Sequence, residues 1–195
     1  VRMRDAAVTT VINLLSDHSH PMQALADALT MQREFGELTG RVVAWVGDYN
    51  NVARSLAEAS LLLGMEVRLA CPAGYQASDV ELERLSGLGA AAISQTDDPR
   101  AAVVGAHAVH TDTWVSMGQE EDAAVRRAAF ADYTVDASLM ALAADDSIFM
   151  HCMPAYRGLE VAAEVFDGPR SRVITQAHDR MHAARGLLAF MAGGS

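Results

Sequence analysis

Side chains able to do chemistry gather in five short stretches of this chain. His151-Cys152-Met153-Pro154-Ala155-Tyr156-Arg157-Gly158 follows the apolar run Ser147-Ile148-Phe149-Met150. The run reads as a buried strand. Pro154 and Gly158 break it, so an imidazole, a thiol and a guanidinium arrive at a strand end. Gly47-Asp48-Tyr49-Asn50-Asn51 ends another apolar run and opens a helix. Two amides at a helix N-terminus favour a carboxylate or phosphate. Asp112, with Trp114, Ser116 and Met117, ends a third strand, and an Asp and a Ser there suit an ammonium group. Arg180 and His182 lie in the last helix, and His20 and Gln23 are three apart at a helix start, hence on one face.

Each stretch also has a bland explanation. Cys152 can be a small buried hydrophobe. Asn50 or Asn51, Asp112 and His20 can be helix caps, Ser116 a turn residue, and Arg180 and His182 surface charge. The Gly-x-Gly-x-x-Gly spacing of a dinucleotide site is absent. So are paired-His spacing, Cys-x-x-Cys and a Ser-His-Asp order; no metal is expected.

The elements that must position these residues follow from apolar periodicity. Val1 to Ala7 reads as the tail of a helix and Thr9 to Leu15 as a strand. A helix begins near Pro21 and ends at Phe35-Gly36. Val42–Val46 is a continuous apolar strand, followed by a helix to Gly64 and a strand over 66–70. Ser78 caps a helix over 79–86. Ala90 to Ser94 is a weak strand, Pro99 starts a short helix, and Ala106–Val109 is a strand leading to His110-Thr111-Asp112. Gln119 to Tyr133 reads as a surface-charged helix, Thr134-Val135 as slightly extended, and Leu139 to Ala144 and Glu160 to Phe166 as short helices. A last helix runs from about Gln176 to Met191. Alternating strands and helices predict an α/β fold: a doubly wound, mostly parallel, Rossmann-like sheet with helices on both faces. Ligands of such sheets bind beyond the carboxyl ends of the strands.

Composition narrows the function classes. The 195 residues are 51% hydrophobic and 21% charged, with a net charge of -10. That composition is globular, and the acidic balance argues against nucleic acid as the main partner. No apolar run reaches the roughly 18 residues of a membrane span, and no signal peptide is visible. Two cysteines, Cys71 and Cys152, give no disulfide framework. A cytoplasmic protein is the expectation.

Five motifs in order carry a resemblance: His20-Pro21-Met22-Gln23, Gly47-Asp48-Tyr49-Asn50-Asn51-Val52, Thr111-Asp112-Thr113-Trp114-Val115-Ser116-Met117-Gly118, His151-Cys152-Met153-Pro154-Ala155 and Arg180-Met181-His182-Ala183. Together they resemble ornithine carbamoyltransferases, within the aspartate/ornithine carbamoyltransferase family. The Asn-Asn and Ser-Met-Gly elements match the ornithine enzymes better than the aspartate-using ones. The resemblance implies transfer of a carbamoyl group from carbamoyl phosphate to the δ-amine of L-ornithine, giving L-citrulline and phosphate. It implies that Asn51 and the Met117 backbone bind the ornithine carboxylate, and that Asp112 and Ser116 hold its α-ammonium. Cys152 and Asp112 would lie near the δ-amine. His20, Gln23, Cys152, Met153 and Arg180 would contact carbamoyl phosphate. Asp112, Cys152, Arg180 and His20 are thus the expected catalytic groups. No organic cofactor is implied, and a homo-oligomer is, trimeric in the family.

The departures are as informative. Relatives in the family carry a Ser-x-Arg-Thr-Arg phosphate loop in a first domain, and no such stretch occurs in these residues. Residues 1–19 read as a remnant of that carbamoyl-phosphate domain, and 20–195 as the ornithine-binding domain with its connecting and C-terminal helices. These residues alone are therefore expected to be inactive. Met22 and Met153 stand where the family often has Cys and Leu, and His178-Asp179 where it usually has Glu-Asn, beside Arg180. Two other readings compete: a non-catalytic amino-acid-binding or subunit-interaction domain of the same fold, and a family member that carbamoylates another amine.

Overall fold

A computed structural model describes residues 10–193 of the chain, apart from Met117 and Gln119. Helix α1 (Pro21–Phe35) starts with proline in its first turn and stops at Gly36, as the fixed φ of proline and the freedom of glycine favour. Strand β1 (Val42–Val46) is buried along its whole length. Helix α2 (Asn51–Leu62) is capped by Asn50, whose side chain accepts from the Val52 and Ala53 amides. Then come β2 (Glu66–Ala70), α3 (Asp79–Ser86) with Ser78 as its cap, and β3 (Ile93–Thr96). Helix α4 (Pro99–Val103) leads to β4 (Ala108–Thr111). A 3-10 turn over Glu120–Asp122 precedes α5 (Ala123–Ala129). The chain continues through α6 (Ala137–Met140), β5 (Ile148–His151), α7 (Ala163–Phe166) and α8 (Val173–Gly193).

The described strands form one sheet in the order β3-β2-β1-β4-β5, parallel at every pairing. Alternation along β1 feeds two cores. Val43 and Trp45 pack with Leu56, Leu61 and Leu85 on one face. Val42, Ala44 and Val46 pack with Val103, Phe130, Leu139 and Phe166 on the other. Both faces are covered, which is why β1 and β5 are apolar without a polar side. Strand order reverses between β1 and β4, and crevices form at such a point. No helix among the described residues is long and apolar enough to cross a membrane.

The doubly wound parallel architecture is the one expected. Several boundaries move. Thr9 to Leu15 is not a strand where it is described: residues 10–15 are irregular, and Leu14 and Leu15 are exposed. β-branched residues favour a strand only with a neighbour to pair, and no described strand lies beside them. The expected helix over Val1–Ala7 lies outside the described residues. The weak strand shifts from 90–94 to Ile93–Thr96, where it pairs with Val67–Ala70. The strand expected over 106–109 becomes Ala108–Thr111, in register with Val43–Val46. His110 and Thr111 are therefore inside the sheet, fully buried, rather than at its rim.

The helix expected over 119–133 is shorter and not wholly surface-charged, because Arg126 turns inward. Asp136 caps α6 early by accepting from the Leu139 amide, so that helix covers 137–140 instead of 139–144. The Glu160 helix starts at Ala163 because Glu160 is buried in a side-chain network instead. The last helix begins at Val173, one turn earlier than its apolar pattern suggests.

Candidate active site

The rim begins where β1 ends. Gly47 has φ +140°, and a Cβ there would sit 3.5 Å from Thr111 Oγ1; glycine lets the chain turn close to the neighbouring strand. Asn50 then does two things. Its Oδ1 accepts the first free amides of α2, a cap contribution of about 0.5–2 kcal/mol. Its Nδ2 donates to Asp112 Oδ2 at 2.8 Å. Capping thus fixes an amide against the carboxylate at the end of β4.

Asp112 also accepts from the Thr113 amide at 2.8 Å and from Cys152 Sγ at 3.1 Å, both on Oδ1. Three strand ends therefore meet on one carboxylate. Burial, followed by the Asp112 charge, pushes the Cys152 thiol well above its ordinary range, so it stands as a thiol and donates. His151 points the other way, as alternation demands. Its Nδ1 accepts from the Met153 amide at 2.9 Å, and its Nε2 faces Glu160 Oε1 at 3.2 Å. Glu160 Oε1 also accepts from the Tyr156 amide. Those contacts hold Met153 at φ 58°, a conformation uncommon for a non-glycine residue.

These groups line a cleft of about 1090 Å³. His20, Asn51, Asp112, Ser116, Cys152 and Met153 all border it, together with Asp17, Asp48, Asn50 and Arg127. Asn51 donates to the Ser16 carbonyl at 2.7 Å, so the irregular segment before α1 forms one wall. His20 stands at the N-cap position of α1 without a side-chain capping bond, and its backbone amide donates to Ser55 Oγ at 2.9 Å. Burial and then the charge of Arg180 lower its pKa, favouring neutral imidazole near pH 7. On the far side Arg126 donates to the Trp114 carbonyl and to Asp48 Oδ2. Its guanidinium lies over the Tyr75 and Phe130 rings, which anchors the base of the Trp114 loop. Burial is the first cause of a raised Asp48 pKa.

Two expected site residues do not line the cleft. Gln23 is buried and donates to Asp27 at 2.8 Å. Arg180 is exposed on α8, though its charge reaches His20 and Cys152. His182 is exposed too. Met117 lies outside the described residues. The unusual His178-Asp179 pair resolves into an exposed His178 and a fully buried Asp179. Asp179 accepts from Thr30 at 2.8 Å and pairs with Arg33, so it ties α8 to α1.

Asp112, His151 and Cys152 place three possible ligand atoms within 4.8 Å of one another. Both nitrogens of His151 are already engaged, one by an amide and one by Glu160. A metal would have to break one of those contacts, and the residues fit it poorly.

Residues 39–191 match the family model described as "Aspartate/ornithine carbamoyltransferase, Asp/Orn binding domain". The chain belongs to the aspartate/ornithine carbamoyltransferase family. It is 48% identical over 194 residues to an ornithine carbamoyltransferase of Acidothermus cellulolyticus, covering 96% of this chain and 62% of that one. A Caulobacter vibrioides ornithine carbamoyltransferase is 47% identical over 192 residues, covering 98% and 61%. The solved ornithine carbamoyltransferase of Pyrococcus furiosus superposes with a TM-score of 0.92 at 41% identity, covering 99% of this chain and 63% of that one. The chain thus spans about three fifths of the length of its carbamoyltransferase relatives.

Several buried polar residues around the cleft carried no role in the sequence reading. Asp27 lies one helical turn after Gln23, a polar i,i+4 pair inside a buried stripe, and that spacing was a usable signal. Gln176 had none, because its partners Asp27, His110 and His151 are distant in sequence.

Proposed function

We propose that this chain is the ornithine-binding part of an ornithine carbamoyltransferase. The observation that carries the reading is the Asp112 carboxylate, held by Asn50 and the Cys152 thiol where three strands end. With Asp48 paired to Arg126, the cleft presents the carboxylates of Asp17 and Asp112 against the guanidinium of Arg127. Such a lining favours a substrate with two amines over aspartate, whose second carboxylate it would repel.

In this reading Asp112 and Ser116 receive the α-ammonium of ornithine. Asn51 and the Met117 backbone take its carboxylate. The δ-amine lies near Asp112 and Cys152 and attacks as the free base. A C–N bond forms to the carbamoyl carbon, the bond from that carbon to the phosphate oxygen breaks, and the departing phosphate takes the proton that the amine loses. Neutral His20, with Arg180, stabilises the developing oxyanion. Gln23 and Met153 orient the carbamoyl group. Alignment of two substrates contributes much of the remaining acceleration. The same reading makes the protein cytoplasmic and homo-oligomeric, working without an organic cofactor.

The test is product formation by the full coding product, with carbamoyl phosphate and either L-ornithine or L-aspartate. Citrulline and phosphate from ornithine, with no carbamoyl-aspartate, is the expected result. Carbamoylation of aspartate, or no citrulline, would overturn the reading.

A further inference from the structure

A second polar cluster lies beneath the cleft, and of its members the proposed function uses only Gln23. Asp27 is fully buried on α1. Its Oδ1 accepts two amide groups: Gln23 Nε2 at 2.8 Å and Gln176 Nε2 at 2.6 Å. Both glutamines are buried as well. Because a carboxylate only accepts, it dictates the orientation of both amides. Their NH₂ ends face Asp27 and their carbonyl ends face away. For Gln176 the carbonyl then accepts from the His151 amide at 2.9 Å, next to Cys152. For Gln23 the carbonyl is left buried, with no hydrogen-bond partner among the described residues. It lies one turn from His20, which borders the cleft. Leaving a buried acceptor unsatisfied is costly, so a carbonyl held in that state is ready for a donor.

We propose that Asp27 is a positioning residue: it fixes the Gln23 carbonyl toward the amide of carbamoyl phosphate and, through Gln176, holds the strand end that carries Cys152. This rests on the proposed carbamoyl transfer. One buried oxygen thereby sets a group for each of the two substrates. Charge is not the essential property; a hydrogen-bond acceptor at that point is. An amide oxygen at position 27 would keep both contacts, with its NH₂ left facing His110 Nε2, now 3.5 Å from Asp27 Oδ2.

The experiment is a double-mutant cycle in the full coding product, read by citrulline formation and by Tm. Asp27→Asn should lower kcat/KM by about three- to tenfold, the effect of one weakened acceptor. Gln23→Glu sets two carboxylates against each other and should lower kcat/KM for carbamoyl phosphate by on the order of 100-fold. The ornithine KM should stay near the parental value, since Asn50 and Asp112 are untouched. Adding Asp27→Asn to Gln23→Glu removes the carboxylate–carboxylate clash, though the new NH₂ at position 27, turned to the carboxylate at position 23, also meets the Gln176 amide. The pair should therefore recover part of the loss, about threefold. Tm should show the same rescue. Simple additivity of the two substitutions in both readouts would overturn the proposal. So would a fall in kcat/KM for both substrates alike in Gln23→Glu, which marks a purely structural role for Gln23. A parent that makes no citrulline would instead overturn the functional reading, and the Tm cycle would still decide whether Asp27 orients Gln23.

Discussion

The molecule holds two polar clusters built from the same kinds of group and differing in access to solvent. Around Asp112 an amide, a backbone N–H and a thiol converge on a carboxylate that borders an open cleft. Around Asp27 two amides converge on a carboxylate that is sealed between α1, α8 and β4. The first sits past strand ends, where backbone partners run out and side chains can face a ligand. The second sits along a helix interior, where every donor must find a partner inside the protein. A carboxylate in the open cluster can exchange a protein donor for a substrate ammonium. One in the sealed cluster can only orient its neighbours.

The sharpest way to break that comparison is to neutralise the open carboxylate. Asp112→Asn should weaken ornithine binding by about 2–5 kcal/mol, the range for losing one partner of a desolvated charge pair. Calorimetry of the full coding product measures it. Equal affinity in variant and parent would remove Asp112 from the ammonium site.

The sealed cluster should respond first in stability, and in ornithine affinity only through the strand end it holds. Gln176→Leu removes a donor from Asp27 and the acceptor of the His151 amide. Stranding those buried groups should destabilise the fold by about 1–3 kcal/mol, read from denaturant unfolding, with a smaller loss of ornithine affinity as the strand end carrying Cys152 loosens. A Gln176→Leu variant as stable as the parent would show that the cluster is not a structural tie at all.

The same contrast explains what the sequence made legible. The parallel sheet, its helices and the open cluster could be read from short apolar runs ending in polar residues. Gly47–Asn51, Asp112 and His151-Cys152 each announce a strand end. Asn51, expected at the ornithine carboxylate, borders the cleft, while its neighbour Asn50 is the one that reaches Asp112, because a cap position and a first-turn position face different ways. The sealed cluster was nearly invisible. Asp27 and Gln176 are 149 residues apart, and nothing local marks a glutamine on α8 as the neighbour of an aspartate on α1. Glu160 and Arg126 likewise read as surface charge until the packing around them is known. Apolar pattern alone also fails to separate Met22, which is buried, from Leu25, Leu188 and Phe190, which are exposed.

The smallest expected effect concerns Cys152, which belongs to the open cluster but behaves like a sealed group. Its thiol donates to Asp112, and burial holds it protonated, so in the proposed function it shapes the ornithine pocket as a thiol instead of acting as a nucleophile. A nucleophilic role would need a thiolate, favoured by a nearby cation or helix N-terminus. The carboxylate beside it has the opposite effect. Cys152→Ser keeps a donor to Asp112 and should keep the fold, weakening ornithine use by about tenfold or less, since a hydrogen bond is retained while packing changes. Alkylation by iodoacetamide should be slow at about pH 7–8 and quicken only well above about pH 9. The sign of the stability change follows from the same shift. Above the ordinary thiol range the unfolded chain has lost this proton and the folded chain has not, so stability falls as pH rises there. Cys71, also raised by burial, adds to that fall. Cys152→Ser should therefore flatten the alkaline limb of stability against pH. An unchanged limb, or a carbamoylated Cys152 trapped during turnover, would contradict the assignment.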